Sequence, residues 1–112
     1  MLPRQHRLRS SEDFRAARRR GRKFVLPGLI IHVVPGYFPD AVTKVGLTVG
    51  KDCGNSVSRH RLSRRIRAAM ATVVSDIPPG SCVVIRALPA AHQLTSVELG
   101  DSVGTLVRRM SS

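Results

Sequence analysis

Six cations, Lys51, Arg59, Arg61, Arg64, Arg65 and Arg67, stand within one short stretch behind a Gly54-Asn55 pair, and from Cys53 to Ser75 the chain has no Asp or Glu. A solvated helix ordinarily interleaves opposite charges, so that side chains three and four residues apart attract. Here such neighbours repel, and the first of them also meet the positive end of the helix macrodipole, at a cost of about 0.3 to 1 kcal/mol each. The segment gains nothing from this internally. Its negative counterpart must come from outside, so the stretch is built to bind a polyanion.

Hydrolytic chemistry by the chain itself is poorly supported. Two-metal hydrolysis needs clustered carboxylates, and the seven acids are scattered, the one adjacent pair, Glu12-Asp13, being better explained as a helix start. His6, His32, His60 and His92 could supply a metal-independent general acid and base, but their separation defines no pair; isolated histidines are more often structural or RNA-contacting. Cys53 and Cys82 are too few for a disulfide scaffold or a zinc site and read as small buried residues in a reducing cytosol. No nucleotide fingerprint or nucleophile elbow is present, since Gly46 and Gly50 fall within and at the end of a strand.

The 112 residues predict a single domain, 1–112, too small for a large buried active-site cavity. The net charge of +12 points to nucleic acid or an anionic membrane surface, and its distribution is one-sided. Through Arg67 there are sixteen Lys and Arg against four acids; after it three Arg balance three acids. The N-terminus lacks an apolar signal core, and no apolar run approaches the roughly 20 residues that span a bilayer, so neither export nor membrane insertion is expected.

The elements that must position these residues follow from pattern. Ser10-Ser11-Glu12-Asp13 starts a short helix reaching about Arg20 and ended by Gly21, with Phe14 and Ala17 on its inner edge. Leu29 to Val34 and Val42 to Val49 read as strands, an antiparallel pair. Asn55 or Ser56 caps the main helix, whose Leu62, Ile66, Ala69, Met70 and Val73 form one apolar face, with His60, Arg61, Arg64 and Arg67 on the other side. Pro78-Pro79-Gly80 stops it; Cys82 to Leu88 is a third strand, and a final helix runs from about Ser96, weakened by Gly100 and Gly104. The order is αββαβα, an α+β sandwich in which helices cover one side of a small mixed sheet. Strand alternation puts His32 with Ile30 and Val34, either as a partly buried histidine at the sheet margin or as a planar group lining a cleft and able to stack on a base. Phe14 fits the core by pattern alone.

From Lys51 to Arg67 the chain resembles the protein subunit of bacterial ribonuclease P, whose signature K-x-x-G-N-A-V-x-R-N-R-x-K-R-x-x-R sits on a helix entered from a strand reading V-G-L-S-V. Val45-Gly46-Leu47-Thr48-Val49 and then Lys51, Gly54, Asn55, Val57, Arg59, Arg61, Arg64 and Arg67 stand in register. Glu12-Asp13-Phe14, Gly21, and Val83-Val84-Ile85-Arg86 followed by Pro89 extend the likeness over almost the whole chain. His60 stands where Asn is usual, Ser56 where Ala is, and Ser63 where Lys is.

The resemblance implies a left-handed βαβ crossover around that helix and a noncatalytic protein within an endoribonuclease ribonucleoprotein, ribonuclease P, which removes the 5′ leader of precursor tRNA. Hydrolysis, with Mg2+, falls to the RNA subunit; the protein holds no catalytic residue and no metal. By position, Lys51, Asn55, Arg59, His60, Arg61, Arg64 and Arg67 belong to the surface for the catalytic RNA, and Phe14, Arg18 and His32 to a cleft for the leader. Arg18 and His32 occupy positions that often carry aromatics, which shifts the expected leader contact from stacking toward phosphate. The implied partners are ribonuclease P RNA and precursor tRNA, in the cytoplasm, with neither DNA nor membrane. Charge alone would equally allow a structural RNA-binding protein such as a ribosomal component, and the histidines a self-sufficient nuclease.

Overall fold

The computed structural model describes residues 2–110. Helix α1, Ser11–Arg20, begins at Ser10, whose hydroxyl accepts from the Asp13 N–H at 3.4 Å. Glu12 and Asp13 occupy its first turn and Arg18, Arg19 and Arg20 its last, so charges at both ends complement the macrodipole. Strands β1, Arg22–Leu26, and β2, Leu29–Val34, form a hairpin turned at Pro27-Gly28. Strand β3, Lys44–Val49, leads through a 3-10 turn at Lys51–Cys53 into α2, Ser56–Ala71; β4, Cys82–Ala87, and α3, Ser96–Met110, complete the order.

The sheet order is β1-β2-β4-β3, with β2 antiparallel to β1 and β4, and β3 parallel to β4. The class is the expected α+β with a mixed sheet, but three features differ from the pattern reading. Arg22–Leu26 is an additional strand. Its two leading cations mask an alternation in which Phe24 and Leu26 are buried while Lys23 and Val25 are exposed. The strands Leu29–Val34 and Lys44–Val49 do not pair, because β4 lies between them. Helix α2 spans the connection from β3 to β4, and a parallel pair requires such a crossover. Helices also cover both faces: α2 and α3 pack on one, α1 on the other.

The main core lies under α2 and α3. Leu62, Ile66 and Met70 of α2 and Leu99, Val103 and Leu106 of α3 meet Phe24, Ile31, Val83 and Ile85 of the sheet. A smaller cluster of Leu8, Ala17, Cys82 and Val84 seats α1 on the opposite face. Both cysteines are buried free thiols, with Cys82 pushed up to about 11, first by burial and then by Asp13.

Candidate nucleic-acid interface

The entry to α2 is set by two residues. Gly54 has φ 110° and ψ −163°, where an L side chain is strained. Asn55 then caps the helix, its Oδ1 accepting from the Ser58 N–H at 2.9 Å. The apolar stripe Leu62, Ile66, Met70 faces the sheet, so the opposite side of the helix carries Val57, His60, Arg61 and Arg64, all exposed. These four border a shallow groove with Ser56. Lys51 and Asn55 are exposed just before it.

Arg59 and Arg67 sit differently. Each is half-buried on the flank of α2. Arg59 Nε donates to the Val49 carbonyl at 3.0 Å, tying the helix to the end of β3. Arg67 is lowered from the ordinary arginine value by burial first and by Arg7 second, and its guanidinium remains charged. Of the seven residues expected on this surface, His60, Arg61 and Arg64 therefore share the outward face, Lys51 and Asn55 flank its start, and Arg59 and Arg67 combine packing with charge.

The second basic surface lies on the α1 side of the sheet. Register places Lys23, His32, Val84 and Gly46 in one row across the four strands, and Val25, Ile30, Arg86 and Thr48 in the next. Phe14 of α1 packs onto Gly46 so closely that a Cβ there would stand 2.4 Å from the ring. Arg18, one turn on, donates from Nη2 to Thr48 Oγ1 at 2.9 Å, with its guanidinium carbon 5.8 Å from the Phe14 ring centroid. His32 is half-buried beside them, and burial first, then Lys23 and Arg18, lowers its pKa below 6.5. Arg18 thus stands near both Phe14 and His32 on this face of the sheet.

Gly46, Thr48 and Arg86 escaped the sequence reading of this surface. Gly46 makes room for Phe14, Thr48 anchors Arg18, and Arg86 is the one exposed residue of β4. A single cation interrupting the apolar run Cys82–Ala87 was the available signal for Arg86; nothing local marked the other two. Asp13, by contrast, is taken up by the fold, accepting from Tyr37 OH at 2.8 Å.

The two surfaces meet at the C-terminal end of edge strand β3. Arg18 reaches it from one face through Thr48 and Arg59 from the other through the next residue, Val49. Among the described residues no three His, Cys, Asp or Glu side chains converge as a metal site, and no helix is long and apolar enough to cross a membrane.

A family model described as Ribonuclease P matches residues 2–111. A ribonuclease P protein component from Streptomyces avermitilis is 38% identical over 117 residues, covering 98% of this chain and 95% of that protein. One from Mycolicibacterium paratuberculosis is 35% identical over 113 residues, with the same coverage of 98% and 95%. Among solved structures, the fold is similar to the Staphylococcus aureus RNase P protein, with TM-score 0.78, 18% identity and 94% of each chain covered. The RNase P protein from Thermotoga maritima also gives TM-score 0.78 at 18% identity, over 92% of this chain and 96% of that one.

Proposed function

The chain belongs to the bacterial ribonuclease P protein family, and from that premise we propose that its two basic surfaces divide the work of the ribonucleoprotein. As the protein component of ribonuclease P it functions in 5′ maturation of precursor tRNA, as a subunit of an endoribonuclease. The α2 surface, with Lys51, Asn55, Arg59, His60, Arg61, Arg64 and Arg67, binds the catalytic RNA. The α1 cleft, with Phe14, Arg18 and His32, holds the 5′ leader. The RNA subunit supplies the Mg2+ site and the hydrolysis, and the protein, a single domain, works with it in the cytoplasm.

The observation that carries this division is the junction on β3. Consecutive residues, Thr48 and Val49, are held by Arg18 from the cleft and Arg59 from the helix. A leader in the cleft would therefore end beside an RNA bound to α2, the arrangement that cleavage at the leader boundary needs. Phosphate contacts from arginines give affinity without sequence preference, and the half-buried imidazole of His32 near Arg18 suits an unpaired strand.

Reconstitution with a bacterial ribonuclease P RNA tests the proposal. At low magnesium the protein is expected to restore cleavage of precursor tRNA and to favour binding of precursor over mature tRNA. Restored cleavage with equal binding of the two tRNAs would remove the leader cleft, and a failure to restore cleavage would remove both assignments.

A further inference from the structure

We propose that the groove between α2 and α3 is a second docking surface for the catalytic RNA, taking a phosphodiester strand that passes around α2 from its outward face. This rests on the assignment of α2 to that RNA and extends the contact to α3. The groove holds about 490 Å³, and Arg61, Arg64 and Arg65 line it together with small residues, of which Ser96 and Gly100 come from α3.

Charge identifies the occupant. Three guanidiniums line one groove to which α2 contributes no acid, while the acids at the start of α3, Glu98 and Asp101, line a different groove with Thr105. The sign is thus sorted between the two flanks of α3. Arg65 is also fixed in place, since its guanidinium donates to the Leu94 carbonyl ahead of α3. That bond uses one of the five guanidinium N–H donors and leaves the others for an anion.

Gly100 supplies an independent argument. Glycine is a poor residue for a helix interior, and a Cβ at position 100 would meet nothing within 4 Å. Neither packing nor backbone conformation calls for it. Its effect is to leave open the side of α3 that looks across to the arginines.

The test compares two variants with the same charge change on the same helix, Gly100→Glu in this groove and Thr105→Glu in the acidic one, each titrated against the cognate ribonuclease P RNA at fixed moderate salt. Gly100→Glu is expected to weaken binding about tenfold, as for loss of phosphate contacts, and Thr105→Glu by less than about twofold. If Gly100→Glu melts early, Thr72→Glu introduces the same charge from the α2 side and must show the same loss. Equal effects of Gly100→Glu and Thr105→Glu would overturn the second surface while leaving α2 itself intact. Absence of RNA binding by the wild-type protein would instead overturn the assignment of α2.

Discussion

The ring of Phe14 occupies the space that a side chain at Gly46 would fill: a Cβ there would lie 2.4 Å from Cζ and 2.6 Å from Cε1. Helix α1 is thereby seated against β3 with its next turn, bearing Arg18, over Thr48. Gly46→Ala should expel the ring and lift α1. Overpacking of this kind costs about 1 to 3 kcal/mol, visible as a lower melting temperature. The same variant should lose the preference of the holoenzyme for precursor over mature tRNA, and retention of that preference would detach Phe14 from the leader.

Arg59 and Arg61 should separate under mutation. Arg59 is bonded to the Val49 carbonyl, so Arg59→Ala should cost about 1 kcal/mol of stability in addition to RNA affinity. Arg61→Ala and Arg64→Ala, both exposed, should leave the melting temperature unchanged and weaken RNA binding. Each should flatten the log–log salt dependence by about 0.7 to 0.9 if the residue displaces a counterion. Salt slopes identical to wild type in all three variants would show that these side chains do not meet phosphate.

Asn55 has a capping role and a proposed RNA-contact role that substitution can pull apart. Asn55→Ala removes the acceptor for the Ser58 N–H and should destabilise the protein by about 1 kcal/mol. Asn55→Ser keeps a capping oxygen but removes the amide NH2. It should hold the melting temperature near wild type while lowering affinity for the catalytic RNA; full affinity in Asn55→Ser would reduce the residue to a cap.

His32 predicts a pH dependence of defined sign. Its folded value lies below the ordinary 6.5 because of burial first, then Lys23 and Arg18, so the unfolded chain takes up the proton first as pH falls. The stability linked to His32 is complete above 6.5 and is lost as pH drops through the folded value. A leader phosphate in the cleft would offset the two cations and favour the imidazolium. Leader binding, measured under non-cleaving conditions, should therefore tighten as pH falls, and His32→Asn should flatten that dependence. An unchanged pH profile in the variant would place His32 outside the leader site.

Much was legible because it is local. The Ser10 start of α1, the Asn55 cap, the stripe Leu62, Ile66, Met70 and the acid-free arginine run are written within a few residues of one another, and caps and 3.6-residue periodicity act at that range. The one-sided charge, and with it a polyanionic partner, follows from the order of charged residues along the chain. Likewise the alternation of β2 already placed His32 with Ile30 and Val34.

Tertiary structure decided what depends on residues far apart in the chain. That β4 inserts between β2 and β3, that α1 takes the opposite face from α2, and that Gly46 receives Phe14 depend on how apolar faces find mutual burial, a global balance no short window contains. The same holds for Arg59 and Arg61: two residues apart on one helix, they read alike as cations. Only the packing of α2 on the sheet turns Arg59 toward the Val49 carbonyl and leaves Arg61 in solvent.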